Sequence, residues 1–77
     1  MNKTYNGHKN WNFWNVSLWI GNDEGLYNLA RDTVRQCGNR DQAARSIVQQ
    51  LADCGQTKTP DGAPYTVSAV RAAIVGL

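Results

Sequence analysis

The sequence lacks the patterns that mark a membrane protein or an exported one. It contains no run of about 18 apolar residues that could span a bilayer, and no basic segment followed by an apolar one that would serve as a secretion signal. We therefore expect a cytoplasmic protein. Its 77 residues suffice for a single domain, residues 1–77, near the size at which one core supplies only about 3–5 kcal/mol of net stability. A monomer or a homodimer is expected.

Residues that commonly perform catalysis or bind metals are few and scattered. The single histidine, His8, lies in a polar stretch, and the six Asp and Glu residues form no pair that would divide acid and base roles. Cys37 and Cys54 lack the spacing of zinc ligands, and in a reducing compartment we interpret both as small core residues rather than as a disulfide. No glycine-rich phosphate loop is present. The sequence therefore predicts no enzymatic activity, no cofactor and no metal.

Charge is scarce as well. Charged residues make up 18% of the chain, below the roughly 25% typical of soluble domains. Eight Lys or Arg against six Asp or Glu give a net charge of +2 and a pI near 8.7. This pI lies under the value of about 9 that is typical of nucleic-acid-binding domains. Net charge alone therefore does not indicate a nucleic-acid partner, and the low surface charge leaves room for a neutral binding face.

Apolar periodicity and capping residues predict an all-α domain built as a four-helix bundle. Apolar residues recur at helical spacing in four segments, and glycine or asparagine stands at the junctions between them. A Thr-Pro-Asp-Gly turn at residues 59–62 precedes the last segment. The expected helices span about residues 10–20, 22–37, 39–54 and 66–76, with their N-caps at Asn10, Asn22, Asn39 and either Thr66 or Ser68.

The first 27 residues hold all three tryptophans, two of the three tyrosines and the single phenylalanine. We expect the first helix to be largely buried and to form the centre of the bundle, packed by the other three, with Trp14→Ala as the most damaging change. Asn15 is unusual, because asparagine is a poor helix-interior residue. If it is buried, we expect its partners in residues 5–9; the alternative is a polar face for partner binding.

The same segment carries a family resemblance. Tyr-Asn-Gly at residues 5–7, Trp-Asn-Val at residues 14–16 and Asn-Asp-Glu-Gly at residues 22–25 resemble a family of small proteins carried by phages and other mobile elements. Small proteins of this origin include inhibitors of bacterial defence, notably anti-CRISPR proteins. The resemblance implies binding to a Cas subunit of a type I surveillance complex in the host cytoplasm, which would block target-DNA binding. We assign partner binding to Tyr5, His8, Trp11, Arg31 and Arg35.

The C-terminal part is similar to a different family. Thr-Pro-Asp-Gly at residues 59–62, Tyr-Thr at residues 65–66 and Val-Arg at residues 70–71 resemble a segment of the DNA-binding region of large serine recombinases. This resemblance implies an alternative function, a small helix-turn-helix-like regulator that reads DNA with its fourth helix. The DNA-contacting residues would then be Lys58, Thr66, Ser68 and Arg71.

Two features of the sequence argue against the DNA-binding alternative. The candidate recognition helix carries one cation, Arg71, whereas phosphate binding usually draws on several Lys and Arg. The segment between the third and fourth helices is also longer than the 3–4-residue turn of a strict helix-turn-helix. The sequence therefore favours a protein partner over nucleic acid.

Overall fold

The computed structural model describes residues 10–77. Four α-helices follow one another in this part of the chain, and it contains no strand. The predicted all-α bundle is therefore confirmed. None of the helices in residues 10–77 combines the length and the apolar character needed to cross a membrane. The helices are α1 (Trp11–Asn22), α2 (Glu24–Gln36), α3 (Arg40–Asp53) and α4 (Val67–Ala73).

Three of the helix starts agree with the sequence prediction. The Asn10 side chain accepts a hydrogen bond from the Phe13 N–H at 3.0 Å and caps α1. Asn39 accepts from the Gln42 N–H at 2.7 Å and caps α3. Of the two candidates for α4, Thr66 is the cap, because its hydroxyl accepts from the Ala69 N–H at 3.1 Å. Each side chain satisfies an amide that the first helical turn leaves unpaired.

The predicted junction between the first two helices is wrong by one or two residues. The α1 helix continues through Gly21 to Asn22, and Asp23 rather than Asn22 caps α2 by accepting from the Leu26 N–H at 3.0 Å. The Asp23 N–H also donates to the Trp19 carbonyl at 2.9 Å, so a single residue ends one helix and begins the next. A carboxylate suits this position, because the N-terminus of α2 carries partial positive charge.

The four helices form a ring in which each packs against two others: α1 and α3 both pack on α2 and on α4. The expectation that α1 is the centre of the bundle is therefore wrong. The helix contributes one narrow inward stripe, formed by Asn15, Val16 and Ile20. Because the neighbouring helices bury mainly small side chains, the interior has no room for the whole aromatic helix.

The bundle interior is aliphatic, and its largest fully buried side chains include Ile47, Ile74 and Val16. Trp14 is only half-buried, while Trp11 and Leu18 are exposed, so the expectation that α1 is largely buried is wrong as well. Cys37 is half-buried against the core. The remaining buried apolar residues are Ile20, Ala30, Ala43, Ala44, Leu51, Ala63, Tyr65, Ala69 and Val70.

Residues 57–65, which we call the hairpin loop, connect α3 to α4. The Thr59 N–H donates to the Ala63 carbonyl at 2.8 Å, and the Gly62 N–H donates to the Thr59 carbonyl at 2.8 Å. These bonds form the turn that the sequence predicted at residues 59–62. Gly62 has a φ of 97°, a left-handed conformation that favours glycine because it has no Cβ. The loop is therefore a defined structure rather than an irregular linker.

Candidate functional site

Tyr27, Arg31 and Arg35 form a row along the outer face of α2, which we call the α2 stripe. Their spacing of four residues places them on one side of the helix. The Arg31 guanidinium carbon lies 5.9 Å from the centre of the Tyr27 ring, within range of a cation–π interaction. Tyr27 is 38% exposed. The stripe therefore offers an accessible aromatic ring with a cation beside it.

The two arginines of the α2 stripe differ in their partners. The Arg31 Nε lies 3.5 Å from the Asp32 carboxylate, in an exposed contact that contributes little stability. Arg35 is exposed in the last turn of α2 and has no carboxylate within 4.0 Å among residues 10–77. Its guanidinium can therefore meet an external carboxylate without breaking an internal ion pair. Arginine suits this role because its planar group binds carboxylates through two parallel hydrogen bonds.

A second accessible strip lies on α1, formed by Trp11, Trp14 and Leu18. The spacing of three and four residues places them on one helix face. Trp11 is 38% exposed and Leu18 is 37% exposed, whereas Trp14 is half-buried. Large apolar side chains on an outer face are candidates for a binding surface.

The predicted partner-binding residues are thus only partly brought together. Arg31 and Arg35 share the α2 stripe, and Trp11 lies on α1. Tyr5 and His8 lie outside the described residues. The sequence prediction missed Tyr27, although its position four residues before Arg31 was a usable signal.

The residues assigned to DNA binding form a weaker arrangement. Thr66 uses its hydroxyl to cap α4, and Lys58 lies on the hairpin loop, in a backbone bridge with Pro64. Ser68 and Arg71 are both exposed and lie one turn apart on α4. The helix has only seven residues, and residues 54–66 separate it from α3. On α4 itself, one cation and one hydroxyl provide little for recognition of a duplex.

The charges of the described residues do not favour a polyanion either. Residues 10–77 contain six Lys or Arg and six Asp or Glu, so the net charge of +2 resides in Lys3 and Lys9. Arg45 is additionally paired with Asp41 at 3.0 Å. Binding to nucleic acid usually relies on a basic surface. The bundle itself is electrically balanced.

A polar network fastens the hairpin loop to α1. Asn15 is 1% exposed, and its Nδ2 donates to Asp61 at 2.9 Å, while the Thr59 hydroxyl donates to Asn15 Oδ1 at 2.5 Å. The Trp19 indole N–H also donates to Asp61 at 2.9 Å, and Thr59 accepts from the Ala63 N–H at 3.0 Å. The predicted partners of Asn15, residues 5–9, lie outside the described residues. The partners that the structure shows for Asn15 are Asp61 and Thr59 of the hairpin loop, 46 and 44 positions away in sequence. No residue close to Asn15 in the sequence indicates them.

Beside this network lies an open cleft of about 580 Å³. It lies where the end of α1, the start of α2, the end of α3 and the hairpin loop meet. Polar groups at the cleft include Asp23, Gln50 and Lys58. The exposed thiol of Cys54 also lines it, so the expectation that both cysteines are core residues is wrong for Cys54. The apolar lining is supplied by Trp19, Leu26, Leu29, Leu51, Pro60 and Tyr65.

Two groups near the cleft have shifted acidities. The hydrogen bond from Asn15 and that from Trp19 lower the pKa of the Asp61 carboxyl, because both stabilise the charged form against a small opposing effect of desolvation. Burial raises the pKa of the Tyr65 hydroxyl, and the negative charge of Asp23 raises it further. Tyr65 is therefore neutral and Asp61 is ionised at neutral pH.

Comparison with known proteins gives one finding. The sequence model of one family, described as a family of unknown function (DUF7249), matches residues 1–75. No curated protein and no solved structure matches the chain. Within residues 10–77, no three His, Cys, Asp or Glu side chains are grouped closely enough to hold a metal ion.

Proposed function

The chain belongs to the DUF7249 family, and from this premise we propose that the protein inhibits a bacterial defence system by binding one of its proteins. The proposed partner is a Cas subunit of a type I surveillance complex, and the proposed effect is loss of target-DNA binding. Motifs at residues 5–7, 14–16 and 22–25 motivate this choice of partner class, since they resemble small proteins of phages and mobile elements. The bundle supplies the candidate surface.

The observation that carries the proposal is the exposed ring of Tyr27 under the guanidinium of Arg31, with Arg35 one turn further along. Tyrosine and arginine are enriched among the residues that dominate binding energy at protein interfaces. Tyrosine offers a large contact area at low entropic cost, and the guanidinium of Arg31 lies beside the Tyr27 ring. The α2 stripe therefore suits a partner surface with an apolar pocket beside a carboxylate.

The strip on α1 formed by Trp11, Trp14 and Leu18 offers further apolar surface for binding. Trp11 is 38% exposed and Leu18 is 37% exposed, and the low overall charge permits a mainly neutral interface. Such a binder acts stoichiometrically, by occupying a surface that the complex needs for DNA capture. It needs no catalytic group of its own.

The proposal is tested by mixing the purified protein with type I surveillance complexes of several subtypes. We expect co-migration in size-exclusion chromatography at a fixed stoichiometry, and loss of binding to a matched target duplex. A Tyr27→Ala, Arg35→Ala double variant should remain folded and fail to co-migrate. Absence of a complex with every subtype, together with unchanged phage survival in cells that express the protein, would refute the proposal.

The alternative proposal is a DNA-binding regulator that uses α4. Its support is the resemblance at residues 59–71 and the exposure of Ser68 and Arg71 on adjacent turns. A protein that contacts several phosphates loses duplex affinity with a slope of about −0.9 per phosphate in log affinity against log salt. A steep slope that disappears in Arg71→Ala would favour the regulator. Weak, salt-insensitive duplex binding favours the inhibitor.

A further inference from the structure

The cleft between α2 and the hairpin loop has the size and lining of a small-molecule site. Its volume of about 580 Å³ falls within the roughly 300–1,000 Å³ of typical ligand pockets. Six of its twelve lining residues are apolar or aromatic, and its polar side chains are those of Asp23, Gln50, Gln56 and Lys58. Among the apolar and aromatic residues, Leu26, Leu29 and Trp19 are only partly buried, so the cleft presents apolar surface that a ligand could cover.

The walls of the cleft are held in place before any ligand binds. The Trp19 indole is fixed by its hydrogen bond to Asp61 at 2.9 Å, and Asp61 in turn is held by Asn15. The hairpin loop, which carries Lys58, Pro60 and Tyr65 into the cleft, is closed by its own backbone hydrogen bonds. A preformed site lowers the entropic cost of binding.

The charges at the cleft indicate the sign of the ligand. Asp23 is already engaged, because its carboxylate caps α2 and accepts from the Leu26 N–H. Lys58 is exposed and has no carboxylate within 4.0 Å among residues 10–77. The negative charge of Asp23 still acts on the cleft, as its effect on Tyr65 shows, but its carboxylate is directed at the N-terminus of α2. The ammonium group of Lys58 is therefore the charged group that a ligand can pair with directly. A monoanion with an apolar body satisfies both the lining and this cation.

We propose that the cleft binds a small amphipathic anion, a molecule with an aromatic or aliphatic body and one carboxylate or similar group directed at Lys58. The site is independent of the proposed function. Leu26 and Leu29 line the cleft, whereas Tyr27 and Arg31 project from the opposite side of α2, since successive residues are turned by about 100°. A ligand in the cleft and a protein on the α2 stripe can therefore bind together.

The test uses 4-phenylbutyrate as the probe and its uncharged amide, 4-phenylbutyramide, as the matched control. In proton–nitrogen NMR spectra each of the three tryptophans contributes one indole N–H signal, which single Trp→Phe variants assign. We expect 4-phenylbutyrate to shift the Trp19 indole signal and the backbone amides that line the cleft, with saturation in the millimolar range. The Trp11 indole signal should stay unchanged, and the amide should bind several-fold more weakly.

Two exposed-cation variants then examine the role of Lys58. Lys58→Ala should weaken 4-phenylbutyrate binding about threefold to fivefold, as expected for a solvent-screened ion pair, while Arg71→Ala should leave it unchanged. As an independent measurement, 4-phenylbutyrate should slow the alkylation of Cys54 by iodoacetamide. The proposal is overturned if the carboxylate and the amide bind equally, if Lys58→Ala has no effect, or if Cys54 is not protected.

Discussion

Asn15 and Asp61 are joined by a hydrogen bond of 2.9 Å across 46 positions of sequence. The bond connects the middle of α1 to the tip of the hairpin loop, and Thr59 completes the set by donating to the Asn15 amide oxygen. An asparagine inside a helix is unfavourable by propensity, but here it accepts from the hydroxyl of the buried Thr59 and donates to the exposed carboxylate of Asp61. The segments that carry the two sequence resemblances are thus parts of one structural unit.

Asn15→Ala should destabilise the fold. The substitution removes two hydrogen bonds and leaves the buried Thr59 hydroxyl without its acceptor, which costs about 1–3 kcal/mol. Asn12→Ala on the same helix is the matched control, because the Asn12 amide oxygen has no hydrogen-bond partner among residues 10–77. The control should not destabilise the protein, because the buried oxygen that it removes makes no hydrogen bond within residues 10–77. Urea denaturation measures both, and equal effects would contradict the role of Asn15.

The Asp61 carboxyl should titrate below the 3.8 of an ordinary aspartate. Folding lowers the pKa of Asp61. Its contribution to stability is therefore complete at pH values above its pKa in the unfolded chain, and disappears as the pH falls through its pKa in the folded protein. In a pH titration followed by NMR, the carboxyl carbon of Asp61 and the indole N–H of Trp19 should change at the same pH, because the two groups are hydrogen-bonded. Asp61→Asn should abolish the acid-induced change at Trp19. A transition at or above 3.8 would contradict the hydrogen-bonding account.

Tyr65 should make the protein sensitive to alkali. Burial and the nearby Asp23 charge raise its pKa above the ordinary 10.0, so its stabilising effect is complete below that value and is lost as the pH rises through the folded pKa. Ultraviolet titration should show a late-ionising component that Tyr65→Phe removes, and thermal stability should fall in the same pH range. Tyr65→Phe should remove that fall, with Tyr27→Phe as the control. An unchanged fall in Tyr65→Phe would show that another group is responsible.

Gly62→Ala should destabilise the hairpin loop by about 1–2 kcal/mol, because alanine is strained at its φ of 97°. Gly21→Ala should change the stability in the opposite direction. Gly21 lies in α1 with nothing near the position of an added Cβ, so alanine there should stabilise the protein by about 0.5–1 kcal/mol. Thermal denaturation of both variants tests the pair. Equal shifts in the same direction would contradict the assigned turn.

Local features of the fold could be predicted from the sequence, because their causes lie within one helical turn. The Asn39 cap and the turn at residues 59–62 depend on neighbouring residues only, and both were predicted correctly. The cap of α2 was misplaced because Asn22 and Asp23 are adjacent and chemically similar. Which of the two residues caps α2 depends on whether α1 continues through Gly21.

Long-range features could not be predicted in the same way. The aromatic and aliphatic residues of α1 occupy most of its faces. Periodicity alone therefore did not distinguish the buried Val16 from the exposed Trp11. The partners of Asn15 lie in another part of the chain, and no spacing rule connects them. The cleft depends on four separate segments, which only the three-dimensional arrangement brings together.

The proposed inhibitor function is tested most directly by the affinity of the protein for a type I surveillance complex, measured by calorimetry for the wild type and for Tyr27→Ala, Arg35→Ala and Arg71→Ala. We expect saturable binding, an affinity loss of about tenfold or more for Tyr27→Ala and for Arg35→Ala, and no change for Arg71→Ala. Binding that all three variants retain at full strength would contradict the assignment of the α2 stripe, and so would an effect confined to Arg71→Ala.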